Sequence, residues 1–159
     1  MAKAREIEGF AEAGSFAGAA GLAVETRTDE LFSFAEGVLD TSDIEGVHDM
    51  RVASRRLRAA LEIFAPCFRK SEYRAVLRDV KLLADALGER RDRDVQIAQL
   101  EELSRSFAAD DREGLADLVE TLRYEQAAAN AVVADALERI ERDDLRARLL
   151  ALAEEARRA

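Results

Sequence analysis

A column of basic side chains recurs at helical spacing near the middle of the chain, at His48, Arg51, Arg55 and Arg58. Intervals of three, four and three residues place all four on one face of an α-helix. Arginine forms bidentate hydrogen bonds with phosphate oxygens, and a row of arginines can follow a charged backbone without reading a base sequence. We therefore expect this face to hold a phosphate polymer.

A second basic column, Arg74, Arg78 and Lys81, follows on the next predicted helix. The aromatic side chains on which a single-stranded nucleic acid would stack its bases are missing, since Trp is absent. Tyr73 and Phe64 fall among predicted core positions. The pattern favours a phosphate polymer without bases over nucleic acid.

Two other interpretations of the basic columns stay open. They could be solvated faces that carry no ligand, in which Glu62, Asp79 and Asp85 serve as intrahelical partners for Arg58, Arg78 and Lys81. They could also dock an acidic protein partner.

Catalysis finds little support in the residue types. The chain has one His and one Cys, and it contains neither a Gly-rich phosphate loop nor an HExxH or GxSxG motif. Glu45 and His48 have the Glu-x-x-His spacing of a bundle metal site, but that motif occurs once. We expect no enzyme, no cofactor and no metal site, and we keep a metal- or phosphate-dependent enzyme using His48 as the weakest alternative.

The net charge of −9 argues at first against a polyanion partner. The charge is unevenly distributed, however, because residues 48–93 contain 12 Lys/Arg against 7 Asp/Glu. A basic centre in an acidic protein predicts a local polyanion site. Cys67 is the only cysteine, and no membrane span or export signal is evident, so we expect a cytoplasmic location.

The elements that carry these columns are predicted to be helices throughout, because one Pro, frequent Ala, Leu, Glu and Arg, and few β-branched residues favour helix. We predict an all-α helical bundle of four or more helices, with a frayed N-terminal segment over 1–15 and a single bundle over 16–159. Helices are expected over 17–39, 45–65 and 71–88, with caps from the turn at 40–43 and from Ser71 and an end at Gly88. A charged turn at 89–94, a shorter helix, a long helix after 109–111 and a last helix capped at 143–144 complete the prediction.

Two segments carry a resemblance to a known family. HDMRVASRRLRAALEIF (48–64) and VKLLADALGERRDRDV (80–95) resemble, in order and separation, the motifs of the CHAD family, the conserved histidine α-helical domain. The resemblance is specific over 45–100 and rests on helix pattern elsewhere. It implies an all-helical fold, binding of inorganic polyphosphate, association with polyphosphate granules and frequent partnership with enzymes of phosphate metabolism.

The resemblance also implies site residues. Its motif positions here are His48, Arg51, Arg55, Arg56 and Arg58 on one helix, Lys81 on the next, and Arg91 with Asp92 at the predicted turn. Direct phosphate contact is implied for Arg51, Arg55, Arg58 and Lys81, and a pH-sensitive hydrogen-bond donor for His48. Arg91 and Asp92 could equally hold the turn together as an ion pair.

The chain departs from the family pattern in one respect. CHAD domains resemble two related helical bundles in tandem, whereas no second HxxR copy follows here, and 145–158 is the nearest segment. The chain therefore resembles the first half of a CHAD-type tandem bundle. Either it is a truncated or split form of that domain, or two copies pair as a homodimer that restores the complete basic cleft. We favour pairing.

Overall fold

A computed structural model describes residues 3–159, so residues 1 and 2 of the predicted N-terminal segment lie outside it. In the described part the chain is all-α, as predicted. Its α-helices are α1 (Phe16–Phe32), α2 (Ile44–Ile63), α3 (Lys70–Ser104), α4 (Ala109–Arg142) and α5 (Leu145–Arg158), and a short 3₁₀ helix spans Ala65–Cys67.

The helices pack as a bundle around one hydrophobic core. Helix α1 lies against α2 and α5, while α3 lies against α2 and α4. Side chains from all five helices meet there, and each fully buried Leu or Val contributes about 1.5–3 kcal/mol relative to exposure. The fully buried members include Val24, Leu31, Met50, Leu57, Leu61, Val80, Leu83, Leu87, Val133, Leu145 and Leu149.

Helix α1 ends earlier than predicted, at Phe32 rather than near residue 39. The Ser33 hydroxyl donates to the Glu30 carbonyl at 2.8 Å, and Gly37 adopts φ 77°, a left-handed conformation that glycine enters without steric cost. This turn lets Val38 reach the core, where it is fully buried. Core burial of Val38 outweighs continuation of the helix.

Helix α2 matches its predicted limits within two residues. The turn at 40–43 supplies the predicted cap, because the Asp43 carboxylate accepts a hydrogen bond from the Glu45 backbone N–H at 3.1 Å. At the other end the helix stops before Pro66, which lies in the 3₁₀ helix.

Helix α3 contradicts the predictions for this region, because it runs unbroken through Gly88, through the predicted charged turn at 89–94 and through the separate shorter helix expected after that turn. The buried face of α3 continues past Gly88, where it carries Arg90, Asp94 and Ile97. Arg90 Nε donates to Asp94 Oδ1 at 3.0 Å, an i,i+4 pair that the continuous helix brings together. Ser71 lies inside the first turn and does not cap the helix, whose N-cap position is Arg69.

Helix α4 begins at Ala109, so residues 109–111 form its first turn and not the predicted break before it, and α5 follows after Asp144. Asp144 occupies the N-cap position with φ 49° but makes no side-chain capping bond, so the position was predicted correctly and the cap was not. Helices α3 and α4 are much longer than the others and form a hairpin. No residue between Ile97 and Gln126 is buried, so this end of the hairpin extends beyond the core.

None of the helices within residues 3–159 combines the length and the apolar character that a membrane span requires.

Candidate functional site

Helices α2 and α3 run antiparallel, and two polar contacts fix their register. Near the start of α2, Arg91 Nη1 of α3 donates to the Ile44 carbonyl at 3.1 Å. Near its end, Lys81 Nζ lies 3.6 Å from Glu62 Oε1. This register lays the basic face of α2 along α3.

Between these contacts, Arg51 lies over a glycine of α3. A Cβ built on Gly88 would stand 3.7 Å from Arg51 Nε. The absence of a side chain at Gly88 therefore leaves a shallow trough beside the arginine. We call Arg51, Arg55 and Arg58 of α2, with Lys81 and Gly88 of α3, the basic groove.

The predicted column of α2 forms one wall of the basic groove. Arg51 to Arg58 spans about 10 Å along the helix axis at about 1.5 Å per residue. Arg55 is exposed, while His48, Arg51 and Arg58 are half-buried. Cations spaced along an open groove suit an extended anionic chain better than a compact ligand.

Two cations of the groove lack a carboxylate partner. Among residues 3–159, neither Arg51 nor Arg55 forms an ion pair within 4.0 Å, although the chain has 33 Asp/Glu against 24 Lys/Arg. Most other arginines that the structure describes are paired with acids. Repulsion between neighbouring cations makes this arrangement unfavourable for the helix alone. A bound anion would remove that cost.

Of the acids proposed as intrahelical partners, only Glu62 forms a close ion pair with its predicted arginine, Arg58. Its Oε1 accepts from Arg58 Nε at 2.9 Å. Lys81 turns to this same oxygen rather than to Asp85 on its own helix. Hydrogen bonding to Arg58, together with the charges of Arg58 and Lys81, lowers the pKa of Glu62.

The second predicted column is divided. Lys81 borders the groove, whereas Arg74 and Arg78 lie toward the start of α3 and are exposed. Arg78 Nε is 3.9 Å from Asp79 Oδ1, a loose contact, because Asp79 chiefly accepts from Arg148 of α5 at 2.9 Å.

Arg56 and Arg91 have structural partners. Arg56 Nη1 donates at 2.6 Å to Oε1 of Glu30, whose side chain is 1% exposed. Arg27 Nη1 donates at 2.6 Å to Oε2 of the same carboxylate. Arg91 donates to the backbone of α2 inside a continuous helix, so the proposed turn held by Arg91 and Asp92 does not exist. Both arginines thus join helices together.

A buried polar network between α3 and α4 was not predicted from the sequence. Arg90 is fully buried and donates to Asp94 and, at 2.8 Å, to Asn130 Oδ1; Gln126 donates to Asp94 at 2.6 Å. Asn130 in turn donates to the Leu39 carbonyl at 2.9 Å. Arg90 and Asp94 occupy helical positions in line with the apolar residues Leu87 and Ile97. This spacing is the sequence signal that could have revealed the network.

Other parts of the molecule offer poorer sites for an anion. A cleft of about 230 Å³ between α3 and α4 is lined mostly by apolar side chains, including Leu82, Val132 and Ala136. Within residues 3–159 no three His, Cys, Asp or Glu side chains are grouped to hold a metal ion. Burial raises the pKa of the half-buried Cys67 thiol, which makes it less reactive.

Comparison with protein families gives one match, the CHAD domain, over residues 22–159. Neither curated proteins nor solved structures give a match. The matched region includes all of α2 to α5 and most of α1, and hence the entire basic groove. The chain belongs to the CHAD domain family.

Proposed function

We propose that this chain binds inorganic polyphosphate through the basic groove, without catalysing a reaction, and that it acts as a targeting or scaffolding module at polyphosphate granules. CHAD domains are associated with polyphosphate binding. The observation that carries the proposal in this chain is the pair Arg51 and Arg55, which face the groove without carboxylate partners among the described residues.

The chemistry of the groove supports a polymer of phosphate. Each guanidinium supplies several donors in a planar fork, and successive turns of α2 repeat that fork along one line. No phosphate in such a chain needs to be distinguished from the next, so evenly repeated cations suffice.

The lack of a stacking platform supports a ligand without bases. Within residues 3–159, Phe64 is buried, and Tyr73 is half-buried and stacked with Phe68 at a ring-centroid distance of 6.0 Å. The highly exposed Tyr124 belongs to α4, on another side of α3 from α2. The other exposed aromatic side chains, Phe10, Phe16 and Phe107, also lie outside α2 and α3. A nucleic acid in the groove would therefore be held through its phosphates.

An acidic protein partner is the second candidate, because the same unpaired arginines could meet carboxylates. An acidic surface presents fewer bidentate anions in line than a phosphate chain does. It would therefore depend less on Arg51 and Arg55 acting together. A polyphosphate titration separates the two candidates.

Pairing of two copies stays a prediction. A dimer would bring two basic grooves into one particle and so raise the avidity for a long chain. Light scattering with and without polyphosphate tests it, and a monomer under both conditions would exclude pairing.

The main experiment titrates the protein with long-chain polyphosphate and with single-stranded DNA of matched charge, at about 50 and 200 mM salt. The double variant Arg51→Ala/Arg55→Ala is compared with Arg105→Ala/Arg142→Ala, which removes two exposed arginines that do not belong to the groove. In the first variant only, we expect the polyphosphate affinity to fall at least about tenfold. The slope of log affinity against log salt concentration should become shallower by about two. Equal affinities of both variants for polyphosphate would overturn the proposal.

A further inference from the structure

One acidic side chain closes the basic column of α2. Glu62 lies one turn beyond Arg58 on the same face, and its side chain is 43% exposed. Its Oε1 accepts from Arg58 Nε at 2.9 Å and lies 3.6 Å from Lys81 Nζ. A single carboxylate oxygen therefore joins the cations of two helices.

The surroundings of this oxygen match those that a phosphate oxygen would need. A guanidinium N–H and an ammonium group converge on it from α2 and α3, and both groups bind phosphate as readily as carboxylate. The lowered pKa of Glu62 agrees with this geometry and keeps the carboxylate charged at neutral pH. Arg51 and Arg55 have no such internal anion among the described residues.

We infer that Glu62 is an internal counter-anion that occupies the phosphate position between Arg58 and Lys81, so that a bound polyphosphate must displace it. This inference rests on the proposed function. It assigns to one residue the control of the groove's affinity for polyphosphate. It divides the groove into an open part, at Arg51 and Arg55, and a part that is already neutralised, at Arg58 and Lys81.

The division has a measurable consequence for each arginine. A phosphate chain gains fully from Arg55, which has no carboxylate partner within residues 3–159. From Arg58 it gains less, because it must first replace Glu62. Removing the Glu62 charge should make the two arginines equivalent.

The experiment measures polyphosphate affinity for the full chain, for Glu62→Gln and for the control Glu138→Gln, an exposed acid of α4 with the same charge change. We expect Glu62→Gln to bind about three- to tenfold more tightly, as befits the loss of an exposed anion shared by two cations. The slope of its log affinity against log salt concentration should be steeper by up to about one. Glu138→Gln should stay within about twofold of the parent.

A double-mutant comparison tests the displacement itself. Arg58→Ala should cost clearly less affinity than Arg55→Ala in the parent chain, and the two should cost the same in the Glu62→Gln background. A merely structural role for Glu62 would change the melting temperature without equalising the arginines.

The outcomes separate this inference from the proposed function. If Arg51→Ala/Arg55→Ala loses affinity while Glu62→Gln binds no more tightly than the parent chain, the counter-anion role is wrong and the groove stands. If the Arg51/Arg55 variant binds as the parent does, the groove itself is not the site, and the inference falls with it.

Discussion

Arg51 of α2 reaches across to Gly88 of α3, with its Nε 3.7 Å from where a Cβ on that residue would lie. The sequence suggested that Gly88 ends a helix, yet it lies in the middle of one. Gly88 therefore does not end the helix, and Arg51 packs next to it with room for a small side chain but not for a large one.

Substitutions at Gly88 should separate stability from binding. Gly88→Ala places a methyl group at an ordinary contact distance and removes a glycine from a helix interior, so we expect it to stabilise the fold by about 0.5–1 kcal/mol. Gly88→Leu fills the trough and should lower polyphosphate affinity several-fold while the protein stays helical. Thermal melts and titrations measure both effects, and unchanged binding by Gly88→Leu would show that the trough is not used.

Arg56 should contribute to stability rather than to binding. Arg56→Ala deprives the buried Glu30 carboxylate of one of its two arginines, which should cost about 1.5–3 kcal/mol of unfolding free energy. Its polyphosphate affinity at a temperature where the variant is folded should stay within about threefold of the parent. Arg55→Ala should show the reverse pattern. A larger loss of affinity in Arg56→Ala than in Arg55→Ala would contradict the placement of the site.

The buried pair of α3 should be among the most sensitive positions. Asp94→Ala leaves the fully buried Arg90 guanidinium without its counter-charge, at an expected cost of about 3–5 kcal/mol. Arg93→Ala, one residue away, removes only a solvent-exposed pair with Glu125 and should cost less than about 1 kcal/mol. Urea unfolding of the two variants gives the comparison, and similar midpoints would show that the network is not a structural requirement.

Acid should weaken the Glu62 ion pairs. Because the pKa of Glu62 is lowered in the folded protein, its contribution to stability is present above about pH 4.5, the ordinary value for a glutamate, and is lost as the pH falls through the folded pKa. Stability should therefore fall less steeply between about pH 5 and pH 3 in Glu62→Gln than in the parent. Unfolding curves across this range measure the difference, and parallel losses would show that the ion pairs contribute nothing.

Periodicity was sufficient to predict α2 and its basic face. The apolar positions Met50, Leu57 and Leu61 are buried as their spacing requires, which forces the intervening arginines outward. Pro66 and Asp43 mark the ends of this helix by local chemistry alone. Where local and tertiary signals agree, sequence patterns predict structure well.

Tertiary contacts decided the elements that were predicted wrongly. Gly88 is a usual helix terminator, but the pairing of Arg90 with Asp94 in the interior favours a continuous helix. A pattern based on apolar residues treats both as surface charges. The pairing of Lys81 with Glu62 could not be predicted from the sequence, because it depends on the register of two helices.

Because the helices differ in length, different parts of the molecule should differ in how readily they unfold locally. At about 1.5 Å per residue, the 35 residues of α3 extend about 52 Å and the 20 residues of α2 about 30 Å. The segment between Ile97 and Gln126, which contains no buried residue, should therefore exchange its amide hydrogens with solvent well before the rest of α3 and α4. The groove lies on the slowly exchanging portion, so it can remain intact while the end of the hairpin opens and closes.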